Sequence, residues 1–83
     1  MKIKIWIWPE ADHDQWLKHC NGSGTFQEAR DRLVAVIADL ERQGYEVETV
    51  EFSVSEMLAE LKKRGLENTP NNRALIAGEW KPD

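Results

Sequence analysis

The sequence predicts a small α/β protein, a βαβαβ(β) layer fold with a parallel pair of strands and a long loop between the first strand and the first long helix. Three observations carry that expectation. Residues 2–8, Lys-Ile-Lys-Ile-Trp-Ile-Trp, alternate as a strand does. Residues 26–43 and 54–64 repeat apolar side chains at about 3.6-residue spacing, as helices do. The two patterns take turns along the chain, which within one sheet implies parallel strands joined by a crossover.

In the first strand Ile3, Ile5 and Ile7 share one face, while Lys2, Lys4, Trp6 and Trp8 share the other. Isoleucine and tryptophan both suit a pleated, half-buried surface, and large apolar groups on both faces suggest an inner strand. Pro9 ends it, having no amide to give the ladder.

In the first long helix Phe26, Ala29, Leu33, Val36, Ile37 and Leu40 form one stripe. Thr25 and Glu28 form a capping box at its start, and Gly44 supplies a left-handed stop. Tyr45 to Phe52 reads as the second strand. Its apolar positions Val47, Val50 and Phe52 break strict alternation, so a bulge or twist is expected there. Glu46, Glu48 and Glu51 make it acidic, as suits an edge strand guarded against stray pairing.

Ser53 and Glu56 repeat the capping box. Val54, Met57, Leu58 and Leu61 then supply the buried stripe of a second helix, stopped at Gly65 with Leu66 folding over its end. Residues 73–77, Arg-Ala-Leu-Ile-Ala, read as a third strand, with Gly78 a turn and Glu79-Trp80 a short fourth. The alternative is a short helix capped by Thr69 with Pro70 at its first position.

Eighty-three residues make one domain, 1–83, with 41% hydrophobic and 31% charged residues, ordinary for a soluble globule. No apolar run approaches the ~20 residues of a membrane helix. The N-terminus reads as a strand and not as a secretory signal. One cysteine cannot form an internal disulfide, which points to a reducing, cytoplasmic setting. Net charge is −4, from 15 acidic and 11 basic residues, so nucleic acid is a poor partner. The run Lys62-Lys63-Arg64 falls at a helix end, where cations meet the negative end of the dipole.

The βαβα order resembles the thioredoxin superfamily, in particular its small glutaredoxin-like members. The residues that carry the resemblance are the Lys2–Trp8 strand, Cys20-Asn21-Gly22-Ser23 as a Cys-x-x-Ser, the two helices, and Thr69-Pro70 before Ala74-Leu-Ile-Ala-Gly78. The resemblance implies a nucleophilic Cys20 with Ser23 completing the motif. It also implies a docking point for a substrate peptide or glutathione at Thr69 and a cis Pro70. A monothiol site would need glutathione or a partner thiol to resolve the mixed disulfide, and Lys18 and His19 would favour the thiolate.

The residues around Cys20 also support a structural reading. Asp12 and Gln15 suggest a short helix from about Asp12 to Cys20, ended by Asn21-Gly22. Trp16 and Cys20 then share a face, and Cys20 is a small buried hydrophobe. The spacing of His13, Asp14, His19 and Cys20 matches no compact zinc pattern, so they read as loop polar groups and no metal is expected. Gly22-Ser-Gly-Thr25 lacks the lysine of a phosphate loop and reads as entry into a capped helix.

Four tryptophans are the remaining unusual count. Buried, they add core volume; exposed, Trp8, Trp16 and Trp80 are binding candidates. With no nucleophile–base pair and no paired carboxylates in view, a non-catalytic protein-binding module ranks first. It would be an acidic inhibitor or adaptor, of the kind accessory viral proteins supply. It would engage a basic protein surface through the long loop, the tryptophans and the Glu46, Glu48, Glu51 edge, without a cofactor. The alternative is a glutaredoxin-like monothiol protein using Cys20 and glutathione.

Overall fold

The computed structural model describes residues 1–80. In chain order these form β1 (Lys2–Ile7), a single 3-10 turn (Glu10–Asp12), α1 (His13–His19), α2 (Phe26–Arg42), β2 (Glu46–Glu51), α3 (Val54–Arg64) and α4 (Pro70–Glu79). The result is a small α/β fold of two parallel strands and four helices.

β1 and β2 pair in parallel without interruption from Lys2 opposite Glu46 to Ile7 opposite Glu51, so of the two alternatives, bulge or twist, no bulge forms. The uneven spacing of β2 has another cause. Neighbours across a sheet point to the same side, so Val47 lies beside Ile3 on one face and Val50 beside Trp6 on the other. The strand offers apolar contacts to both layers.

The face carrying Trp6, Val50 and Phe52 is closed by α3 and α4. Met57, Ile76 and Ala77 are fully buried there, with Val54 and Leu61 nearly so. Both ends of α3 are set by local chemistry. Ser53 Oγ accepts the Glu56 N–H while Glu56 Oε1 accepts the Ser53 N–H. At the other end Gly65 takes the left-handed φ of +67°, and the Leu66 N–H returns to the Leu61 carbonyl. At the surface Arg64 pairs with Glu60 one turn back in α3 and with Glu79 of α4, and the second pair joins the two helices.

α4 replaces the third and fourth strands expected over residues 73–80. Thr69 Oγ1 accepts the Asn72 N–H, Pro70 occupies the first turn, and the described residues contain no cis peptide bond. A short apolar run does not distinguish a strand from a buried helical segment; the cap and the proline decide it. β1, expected to be an inner strand, therefore has β2 as its one described neighbour.

α2 covers the other face, where Ile7 lines the same cavity as Ala29, Leu33 and Val36. Its capping box forms as expected, and the Glu28 carboxyl is held below the usual range by the Thr25 N–H and hydroxyl. Ala29 is the one buried residue of the helix; Leu33, Ile37 and Leu40 are half-buried and Val36 is 51% exposed.

The segment from Pro9 to Gly24 is largely ordered as the 3-10 turn and α1, close to the short helix expected from Asp12 to Cys20. Asp12 Oδ2 accepts the N–H of Val54 at 3.0 Å, placing a carboxylate at the N-terminus of α3. The Asn68 amide donates to the His19 carbonyl, and Arg30 donates to the Trp8 carbonyl, both at 2.6 Å. Bonds to the start of α3 and to the α3–α4 loop thus tie the segment down, Arg32 of α2 adds one to the Ser23 carbonyl, and the Arg30 bond holds α2 to the residue just before it.

Candidate functional site

Five aromatic side chains form a continuous run of ring contacts, stacked except where Trp6 meets Trp8 at a tilt. Trp80 lies on Phe52 at 3.9 Å between ring centroids, Phe52 on Trp6 at 5.5 Å, Trp6 against Trp8 at 5.4 Å, and Trp8 on Trp16 at 4.2 Å. Trp6 is buried and its Nε1–H donates to the Phe52 carbonyl at 2.9 Å. Trp8, Trp16 and Trp80 are half-buried against the core. The tryptophans thus supply volume that an 83-residue chain otherwise lacks.

His13, read from sequence as a loop polar group, is buried within this stack, 5.3 Å from the Trp16 ring and edge-on to Phe26. The Trp8 indole N–H can only donate, so His13 Nδ1 accepts it, at 3.3 Å. The proton then sits on Nε2, which donates to the Gly24 carbonyl at 3.0 Å. Gly22 lies against the Trp16 ring so closely that an added β-carbon would overlap it. The aromatic spacing of Trp8, His13, Trp16 and Phe26 was the available signal for this cluster. Nothing local to His13 distinguishes it from an exposed histidine.

Cys20 caps the C-terminus of α1 and is buried in the main core. Burial pushes its thiol above the usual range, and the opposing pull of the Arg73 cation and of a hydrogen bond with Asn68 does not reverse this. Lys18 and His19, expected to favour the thiolate, are exposed and are not among the groups that set it. Ser23 is exposed, and its carbonyl accepts a hydrogen bond from Arg32. Thr69 and Pro70 begin α4, the hydroxyl being committed to the Asn72 N–H. Among the described residues no three His, Cys, Asp or Glu side chains converge as a metal centre needs.

The sheet leaves the outer sides of both strands without a described neighbour, and the two differ in chemistry. Along β2, Glu46, Glu48, Thr49 and Glu51 are exposed. Glu46 and Glu48 share the face of Trp6, while Glu51 points to the face of Ile7, so the three expected binding carboxylates do not form one stripe. Glu48 pairs with Lys2 at 3.2 Å.

Along the outer side of β1 runs an open groove of about 340 Å³. Trp8, Trp16 and Pro70 line it together with Lys4, Leu40 and Arg73. Three of the residues singled out from sequence are thereby brought together; Trp80 and Thr69 are not among them.

No helix among the described residues is long and apolar enough to cross a membrane. No protein-family model, curated protein or solved structure matches the chain.

Proposed function

We propose that the protein is a non-catalytic protein-binding module, an acidic inhibitor or adaptor that engages a basic surface of another protein through the outer side of β2. The observation that carries this reading is the exposure of Glu46, Glu48 and Glu51 along a strand edge with no described neighbour. Carboxylates held on a rigid strand present charge at fixed spacing, which steers association with a cationic surface and sets its orientation. The buried Cys20, with its thiol pushed up, favours this reading over the monothiol redox alternative, because the nucleophile in exchange is an accessible thiolate.

Affinity capture at low and high salt, with partners identified by mass spectrometry, tests it. The wild-type protein retains a basic partner at low salt and loses it at high salt. A Glu46→Gln, Glu48→Gln, Glu51→Gln variant of unchanged circular dichroism fails to retain that partner. Equal retention by wild type and variant would sink the proposal.

A further inference from the structure

We infer that the outer edge of β1 is a second docking site, which accepts an extended acidic segment of another protein as an added strand. This site lies on the opposite side of the sheet from the β2 surface and does not depend on it.

β1 is covered on its two faces, by α2 and by α3 and α4, yet it pairs with another strand along one edge alone. Strand geometry settles which main-chain groups are left over. The Glu46 N–H bonds the Met1 carbonyl and the Phe52 N–H bonds the Ile7 carbonyl, so odd-numbered residues of β1 face β2. The N–H and C=O groups of Lys2, Lys4 and Trp6 therefore point outward. Among the described residues no other element bonds to them. An unpaired row of donors and acceptors beside a groove is a template for another strand.

The surroundings are shaped for side chains as well as for backbone. The groove has Leu40 of α2 on one wall and Pro70 and Ala74 of α4 on the other, with Ile5 in the strand between. Lys4 and Arg73 are its two cations. Lys4 has no carboxylate partner among the described residues, and Arg73 meets the neutral Asn68 amide. An apolar channel bordered by cations calls for a strand that carries both apolar and acidic residues.

β1 already pairs with an acidic strand on its other side. β2 reads Glu-Val-Glu-Thr-Val-Glu, and Lys2 pairs with Glu48 across the ladder. The same lysines oppose a second copy of β1, since antiparallel pairing would bring Lys2 and Lys4 of both chains together at the interface. Charge thus selects an acidic segment from another protein over self-pairing.

The probe is the hexapeptide Glu-Val-Glu-Thr-Val-Glu, followed by amide chemical shifts of the full-length protein in solution. The expected result is saturable movement of the Lys2, Lys4 and Trp6 amides, with Lys4→Ala or Arg73→Ala weakening binding about twofold to fivefold. A peptide with lysine at each glutamate leaves these amides unmoved. N-methylation of alternate peptide amides on the pairing side abolishes binding, a readout that leaves the protein untouched. Three results would overturn the inference: shifts that map to β2 or α2, equal binding by the lysine peptide, or movement of the same amides with protein concentration alone. The last would make a second copy the occupant. Because the β2 proposal requires a cationic partner, a bound acidic probe with no basic partner found, or the reverse, separates the two failures.

Discussion

The two faces of the sheet are covered to very different depths. On the Trp6 face, Met57, Ile76 and Ala77 have no exposure, and Val54 and Leu61 have 1% and 3%. On the Ile7 face α2 buries Ala29 alone, and Val34 and Val36 remain 65% and 51% exposed although the helix is the longest in the fold. The contrast teaches that helix length and periodicity do not measure stabilisation. α2 is held by its cap, by the Arg30 bond to Trp8 and by partial cover of Ile3, Ile5 and Ile7. α3 and α4 are held by close packing, where each lost methylene leaves a void.

The largest effect follows directly. Ile76→Ala should lower stability by about 2–5 kcal/mol, whereas Leu33→Ala on α2 should cost about 1 kcal/mol, since a half-buried side chain loses less area and its site collapses or fills with water. Urea unfolding of the two variants checks this. Equal losses would mean that the faces contribute alike and would break the comparison.

Gly22→Ala comes next. The added methyl has nowhere to go but into the Trp16 ring, and the resulting shift of Trp16 and Trp8 should cost about 1–3 kcal/mol. Tryptophan emission is expected to change with it, because Trp16 stacks on Trp8 at 4.2 Å. Unchanged emission and stability would mean that the α1–α2 loop moves away freely, and that the Trp8–Trp16 end belongs with the loosely covered face.

How much of this was legible in the chain depends on how local the cause is. β1, both capping boxes and the Gly65 stop are each written in a few adjacent residues, and each forms near its expected place; the short helix before Cys20 forms as well, but without the Asp12 side-chain cap that suggested it. The third strand failed because Arg73–Ala77 is too short for periodicity to choose, while Thr69 and Pro70 had already encoded the helix start. His13 and Asp12 were illegible for a different reason. Their partners, the Trp8 indole, the Gly24 carbonyl and the Val54 amide, lie 5 to 42 positions away in sequence. No local pattern contains such partners. The open edge of β1 was equally hidden, since the same residues that suggest an inner strand also line a groove when the third strand is a helix.

Cys20 tests how well the Trp6 face is closed. Its thiol is pushed up in the folded protein, whereas the unfolded chain has the ordinary value near 8.5. Below about pH 8.5 both states keep the proton, and the stabilising contribution is fully present. As pH rises through the window up to the folded value, only the unfolded chain ionises. Stability should then fall by up to about 1.4 kcal/mol per pH unit relative to Cys20→Ala. Urea titrations of the two proteins across that range supply the difference. Parallel curves would show a thiol that ionises as readily as in the unfolded chain and a leak in the closed face. The same native protein should react with iodoacetamide far more slowly than after unfolding.

The smallest expected effect tests the loosely covered face. Val34→Thr and Val36→Thr exchange a methyl for a hydroxyl at exposed positions of α2, and each should change stability by less than about 0.5 kcal/mol. Thr69→Ala is the internal scale for reading them, because loss of the α4 cap should cost about 1 kcal/mol. If either valine substitution exceeds that scale, the residue is covered in solution by something beyond its own chain. Repeating the unfolding at several protein concentrations then identifies the cover. A midpoint that rises with concentration makes it a second copy seated on α2. A midpoint that does not move places the extra cost within one chain, and the two faces are then less unequal than their burial implies.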